Sequence, residues 1–415
     1  MQTLKQLNNG ELKGIKKLTL IENLSEFPEK IFDLADSLEM LDLSNNKLTT
    51  IPNLEKLRKL KIAFFSYNSF TKLPNAFKEC KNLYMLGFKG NQIEIIDEDI
   101  LPLSISWLIL TDNKIKKLPN SIGDLTKLQK FPLAGNQLTT LPDTMQKCKN
   151  LELLRLSANN LSHMPDWLFE LPKLSWLAFS GNDCSVQPQV DLEKASMKKL
   201  DIKEQLGEGA SGMIYKAFCP TLEKDVALKL FKGAITSDGY ALDEMNTYMS
   251  IGKHDNLINV IAKIQEDEKL GLLLDLIPKT YENLGFPPNF DTCTRDTFLE
   301  NYTITAESIY EVLKHIQSAA IHLHEKNIMH GDLYAHNILI NEDNHCYLGD
   351  FGASSFYENT NYEKIEVRAF GCLIDDLLNI CSNKENPYFK NLTSISQICM
   401  QENVKARPLF KEISL

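Results

Sequence analysis

The sequence predicts a solenoid of short repeats followed by a second domain of a different pattern. Three observations carry that expectation. Asparagines return every 22 or 23 residues through the first half. The apolar pattern changes after Leu200, where Ile202 and Leu206 open a different spacing. A chain of 415 residues also exceeds what a single core usually encloses.

Composition narrows the classes. With 43% hydrophobic and 24% charged residues the chain is of ordinary globular type. No run near Met1–Lys17 resembles a signal peptide, and no uninterrupted apolar stretch is long enough to span a membrane. The 9 cysteines form no C-x-x-C pair and suit neither a disulfide framework nor a zinc site, which points to a reducing compartment. Charge is uneven: residues 1–200 hold 26 Lys+Arg against 23 Asp+Glu, and residues 201–415 hold 19 against 32, giving +3 and −13. An acidic second half argues against nucleic acid as the main partner.

The repeating asparagines are Asn23, Asn46, Asn68, Asn91, Asn113, Asn136, Asn159 and Asn182. Around them lies the frame L-x-x-L-x-L-x-x-N-x-L, as in Leu38, Leu41, Leu43, Asn46 and Leu48. Several units continue into a proline: Phe27-Pro28, Ile51-Pro52, Leu73-Pro74, Leu118-Pro119, Leu141-Pro142 and Met164-Pro165. Alternate leucines of a short strand point inward, the asparagine satisfies backbone groups at the bend, and proline starts the return arm. The frame resembles the leucine-rich repeats over about residues 15–185, which implies a curved solenoid with a parallel sheet on its concave face.

The residue that opens each strand should point outward. That column reads Lys17, Met40, Ile62, Met85, Trp107, Lys130, Leu153, Trp176, and Phe64 and Ile109 stand in the adjacent column. Large apolar groups facing water would form a docking patch for a protein partner, unless the second half or another copy of the chain covers it. After Asn182 the frame decays through Val186–Val190, and the charged stretch from Glu193 to Lys199 reads as a short helix or linker. Residues 1–190 are thus assigned to the repeats, 191–200 to a linker and 201–415 to the second domain.

The second domain opens on Leu206-Gly207-Glu208-Gly209-Ala210-Ser211-Gly212, a G-x-G-x-x-G whose glycines let backbone N–H groups approach phosphate. Val226-Ala227-Leu228-Lys229 would carry a cation on a neighbouring strand. With His330-Gly331-Asp332-Leu333-Tyr334-Ala335-His336-Asn337 and Asp350-Phe351-Gly352, these motifs resemble, in order and approximate spacing, the eukaryotic-type protein kinases. The fold class is therefore an α/β leucine-rich-repeat solenoid followed by an α+β bilobal protein-kinase-like domain.

The resemblance implies ATP and Mg²⁺ as cofactors and assigns roles residue by residue. Lys229 would pair the α- and β-phosphates, with Glu244 on the helix Leu242–Ile251 as its partner and Asp243 as the competitor. Asp332 would be the catalytic base, and Asn337 and Asp350 the metal ligands. Leu206, Ile214, Ala227, Leu274, Asp275, Ile277 and Leu339 complete the expected nucleotide site, with Leu272–Ile277 leading to the adenine hinge. Ser308–Lys326 has the spacing of the helix that precedes the catalytic loop, whereas Lys279–Thr305 fits the family least well.

Four departures stand out. Gly331 replaces the arginine of H-R-D, and H-G-D is also the form seen in small-molecule kinases. The segment after Asp350 is short, and no A-P-E precedes Arg368-Ala369-Phe370-Gly371, where Glu366 stands at the position of a family aspartate. Arg407 consequently lacks its usual partner. Tyr334 and His336 match neither the lysine of Ser/Thr kinases nor the arginine pattern of Tyr kinases. The expectation is a cytoplasmic protein kinase, with serine or threonine ahead of tyrosine as acceptor, whose repeats choose the target. In architecture it resembles the small bacterial leucine-rich-repeat protein kinases, which implies bacterial cytosol or a host cytosol. A catalytically silent scaffold and a small-molecule kinase are the alternatives.

Overall fold

The computed structural model describes residues 2–185, 194–209, 212–233, 238–266 and 269–415. After a capped turn of helix, α1 (Leu4–Asn8), eight three-residue strands follow at the repeat period: β1 (Lys17–Thr19), β2 (Met40–Asp42), β3 (Ile62–Phe64), β4 (Met85–Gly87), β5 (Trp107–Ile109), β6 (Lys130–Pro132), β7 (Leu153–Arg155) and β8 (Trp176–Ala178). They lie in sequence order in one sheet, and the registered pairs from β1 to β6 are parallel.

The repeat chemistry explains the geometry. Asn113 donates from Nδ2 to the carbonyls of Phe88 (2.9 Å) and Leu110 (3.0 Å) and accepts from the Ile93 N–H (3.0 Å), so one buried amide ties its own bend to the preceding unit. Asn46, Asn68, Asn91, Asn136, Asn159 and Asn182 likewise donate one repeat back, whereas Asn23 is exposed. Pro28, Pro119, Pro142 and Pro165 each cap a short 3₁₀ turn with φ near −70°. Phe65, Phe70, Phe77 and Phe88 fill the interior, with Phe65 and Phe88 stacked at 5.1 Å.

The opening column is only partly exposed to water. Met40, Phe64, Trp107 and Ile109 are half-buried, whereas Ile62, Met85, Leu153 and Trp176 are buried. Strands of a sheet are about 5 Å apart, so large side chains in register cover one another. The Phe64 ring lies over Gly87, where a Cβ would come within 2.7 Å of it, and Lys130 Nζ sits 4.2 Å from the Trp107 ring centre.

Two compact units divide the chain, one of Met1–Leu154 with Ala158–Leu171, the other of Arg155–Ser157 with Pro172–Leu415. In the second, β9 (Asp201–Glu208), β10 (Gly212–Cys219), β11 (Lys224–Phe231), β12 (Val260–Glu266) and β13 (Lys269–Asp275) form an antiparallel sheet in the order β12-β13-β11-β10-β9, accompanied by helix α2 (Ala241–Ile251). Ala217, Val226, Leu228, Ile264 and Leu273 form its core.

The remainder is mainly helical: α3 (Ala306–His324), α4 (Asn361–Asn379) and α5 (Pro387–Cys399). Small sheets join β14 (Glu282–Asn283), β16 (Ile338–Ile340) and β17 (Cys346–Leu348), and pair β15 (Ile328–Met329) with β18 (Ser355–Phe356). The apolar spacing that predicts a helix over Ser308–Lys326 corresponds to α3, which starts two residues earlier because Thr305 caps the Ser308 N–H. Residues 186–193, where the repeat frame decays and the charged stretch begins, lie outside the described residues, and the rest of that stretch closes in a 3₁₀ turn at Met197–Lys199.

Candidate active site

Sheet register places the glycine-rich hairpin. Gly207 pairs with Ile214 across β9 and β10, and Ile214 pairs with Lys229 across β10 and β11. A Cβ on Gly207 or Gly209 would meet nothing within 4 Å, whereas one on Gly212 would come within 2.5 Å of the Leu230 carbonyl. The first two glycines therefore leave open space, and the third is dictated by close backbone packing. Leu206 is exposed on β9, and Glu208 pairs with Lys232 at 2.5 Å. Ala210 and Ser211 lie outside the described residues.

Lys229 is buried and forms an ion pair with Glu244, while its neighbour Asp243 lies beside Gly181. Burial opposes the lysine charge, but the Glu244 carboxylate, with Tyr248 and Asp350, outweighs it and raises the Lys229 pKa. The second Glu244 oxygen, Oε2, is buried without a hydrogen-bond partner. Leu274 faces Ala227 across β11 and β13, and Asp275 ends β13 with its carboxylate held by Lys224 (2.6 Å) and Asn259 (2.8 Å). Its backbone N–H donates to the Asn259 carbonyl (3.0 Å), so both its carboxylate and its N–H are already engaged. Ile277 follows β13, and Leu339 sits on β16.

The catalytic-loop motif is held from several sides. Asn337 donates from Nδ2 to the Asp332 carbonyl (2.9 Å) and to Asp332 Oδ2 (3.0 Å). The buried Glu366 of α4 accepts from the backbone N–H groups of His330 (3.0 Å) and Gly331 (2.6 Å) and lies 2.8 Å from His324 Nε2. Burial opposes its charge, but His324, His330 and the Gly331 N–H hold its pKa below the usual carboxylate value. Glu366 thus fastens the loop from the helix side.

Asp350 has φ +56°, and Phe351 is fully buried between Tyr248 of α2 (4.6 Å, edge-to-face) and His330 (4.8 Å). That single ring links helix, loop and metal-ligand candidate. Of the hydroxyls in the short segment, Ser354, Ser355, Tyr357 and Tyr362 are buried and Thr360 is exposed. Ser355 Oγ accepts from the Phe179 and Ser180 N–H groups at 2.9 and 3.1 Å.

Gly331 has a structural cause. Its φ is +75°, and a Cβ there would come within 2.7 Å of the Leu177 carbonyl and closer still to that of Ala353. No arginine fits at this place. The buried Arg407 gives its donors to the carbonyls of Gln401 (2.8 Å), Lys364 (3.1 Å) and Pro172 (2.7 Å), so three backbone oxygens stand in for a carboxylate.

Sequence reasoning missed several residues of the site. Arg155, at the end of β7, forms an ion pair with Asp332 Oδ1, donates to the Gly331 carbonyl (2.8 Å) and reaches Asp238 (3.2 Å). Trp176 stacks flat on Tyr334 with centres 4.4 Å apart and donates from Nε1 to the Leu333 carbonyl (3.2 Å). It therefore lies against the catalytic loop, not on a free docking surface. His336 contacts Asp296 at 2.7 Å. Arg155 did leave a signal: its column reads Thr19, Asp42, Phe64, Gly87, Ile109, Pro132, Arg155, Ala178, with no other cation.

The protein kinase domain family matches residues 200–370, and leucine-rich-repeat families match residues 128–183 and 37–57. Similar proteins include fibroblast growth factor receptor 1 of Xenopus laevis, 26% identical over 40% of this chain and 22% of that protein. The L-type lectin-domain containing receptor kinase V.7 of Arabidopsis thaliana is 28% identical over 38% of this chain and 23% of its own length. Fibroblast growth factor receptor 1 of Pleurodeles waltl is 25% identical over 41% and 22%. The chain spans less than a quarter of the length of these relatives. Among the described residues, no helix is long and apolar enough to cross a membrane.

Proposed function

Proceeding from a chain that joins leucine-rich repeats to a protein kinase domain, we propose that it is an ATP- and Mg²⁺-dependent protein kinase acting on hydroxyl groups of a protein selected by the repeats. The observation that carries this reading is the Lys229–Glu244 pair, closed in a fold where Phe351 is seated against Tyr248 and His330. In kinases that pair and the metal-binding aspartate must both be in place for transfer.

The residues present suit nucleotide and metal. Open space at Gly207 and Gly209 leaves room for a phosphate chain to approach the hairpin, whose turn is closed by the Gly209 N–H donating to the Gly212 carbonyl (2.9 Å). Asn337 spends its Nδ2 on Asp332, which leaves Oδ1 as a hard oxygen donor, and the Asp350 carboxylate would be a second. Magnesium commonly takes one or two such protein oxygens and completes its shell with water and phosphate. Bound there by Asn337 and Asp350, it would neutralise phosphate charge.

Lys229, kept charged by Glu244, would hold the α- and β-phosphates. Asp332 would accept the proton of the acceptor hydroxyl as the new oxygen–phosphorus bond forms and the bond between the γ-phosphorus and the bridging oxygen breaks, with ADP leaving. The free cysteines fit a reducing, cytosolic setting. Because close packing accounts for Gly331, the H-G-D form no longer favours a small-molecule acceptor. Serine and threonine remain the proposed acceptors.

The test is transfer of labelled γ-phosphate to the chain itself, to a protein mixture and to small alcohols and amino-sugars, followed by identification of the labelled residue. Label on protein is expected. Label only on a small molecule would overturn the protein-kinase reading.

A further inference from the structure

A phosphoryl-transfer site works mainly by positioning and by stabilising the charge spread over the oxygens of the transferring group, so the base that receives the acceptor hydroxyl must itself be held in place. Lys229 serves the nucleotide side and is committed to Glu244. Between Asp332 and Asn337 the chain reads Leu333-Tyr334-Ala335-His336, with neither lysine nor arginine. His336 is engaged with Asp296. The residue before Asp332 cannot be a cation either, since Gly331 is hemmed in by two carbonyls.

We infer that Arg155, carried by the last position of a repeat strand, is a positioning residue that holds the Asp332 carboxylate in place for the acceptor hydroxyl. The inference rests on the kinase reading and adds to it a part of the machinery drawn from the repeat sequence. Arg155, Asp332 and Asp238 all belong to the same compact unit.

The geometry is that of a built contact. The Arg155 side chain is 5% exposed, which for a guanidinium is costly unless its donors are satisfied. Three different acceptors satisfy it: Asp332 Oδ1, the Gly331 carbonyl and Asp238 Oδ1. Asp332 is then fixed at both oxygens, Oδ1 by Arg155 and Oδ2 by Asn337. A carboxylate has about four lone-pair sites, so an acceptor hydroxyl still finds one. The Asp332 side chain keeps 18% exposure.

The same contact could instead act as a latch that bars the acceptor, and the two readings predict opposite effects of removing the guanidinium. The experiment uses the full chain with Mg-ATP and compares wild type, Arg155→Met and Arg155→Lys for kcat, KM for ATP and thermal unfolding, with and without added guanidinium ion. Expected is a fall in kcat of about 100-fold in Arg155→Met, the size typical for losing one preorganised charge partner. KM for ATP should be unchanged. Part of the loss should be recovered by guanidinium ion in Arg155→Met but not in Asp332→Asn, and Arg155→Lys should fall between Met and wild type.

A kcat equal to or above wild type in Arg155→Met would overturn the inference and establish the latch. A loss without chemical rescue that tracks a lowered unfolding temperature would reduce Arg155 to a structural role. If Arg155→Met does not fold, the kcat against KM split and rescue in Arg155→Lys decide the matter. Absence of transfer by the wild type itself would instead overturn the kinase reading, and this inference with it.

Discussion

At position 331 the backbone dictates the residue. A left-handed φ already disfavours any side chain, and the carbonyls of Leu177 and Ala353 occupy the place of a Cβ. Gly331→Ala should therefore destabilise the second unit by about 3 kcal/mol, the sum expected for backbone strain and overpacking against rigid carbonyls. Thermal unfolding checks this, and an unchanged midpoint would mean that the backbone yields. The H-G-D motif was plain in the sequence, but its cause was not, because Leu177 lies in a strand far earlier in the chain. Arg155 was hidden for a related reason: an arginine on a strand reads as a solvated charge until the carboxylates of Asp332 and Asp238 are seen around it.

Among the elements, those with a strong period were the legible ones. Strands at the asparagine spacing and α3 follow from periodicity, whereas α2 around Glu244 was placed by the resemblance to the kinases. The stretch Lys279–Thr305 has no such period, and its form depends on distant partners. Arg295 reaches Asp375 (2.8 Å) and Asp376 (2.6 Å) of α4, and Asp296 reaches His336. Helix α4 also delivers Glu366 to the catalytic loop, and this has a pH consequence. With its folded pKa lowered, Glu366 contributes stability that is present above the ordinary carboxylate value and lost as pH falls through the folded one. Glu366→Gln should lower stability at neutral pH by about 3 kcal/mol, the order found when a buried charged partner is removed. It should also flatten the acid side of the stability curve. Denaturant titrations from pH 3 to about 7 would show this, and an unaltered acid slope would place the pH dependence on other carboxylates.

For the whole chain, periodicity and compactness report different things. The repeat frame continues to Asn182, because each unit is written by contacts with its neighbour. Compactness draws the line earlier, placing Arg155–Ser157 and Pro172 onward with the kinase-like residues. Contacts far apart in sequence account for this: Trp176 on Tyr334, Phe179 on Tyr362, and Arg407 on the Pro172 carbonyl. No local pattern announces such pairs. The final repeat therefore belongs to two descriptions, one of sequence and one of packing, and it is the packing that carries Arg155 to Asp332. The proposed function requires that Asp332 and Lys229 act together in phosphoryl transfer.

The measurement that tests this requirement most directly is transfer of labelled γ-phosphate from Mg-ATP to protein by wild type, Asp332→Asn and Lys229→Met, with nucleotide binding followed in parallel. Label in the wild type alone, with binding retained in Asp332→Asn and weakened in Lys229→Met, is the predicted result. Equal label in Asp332→Asn, or no label in the wild type despite bound nucleotide, would contradict the account.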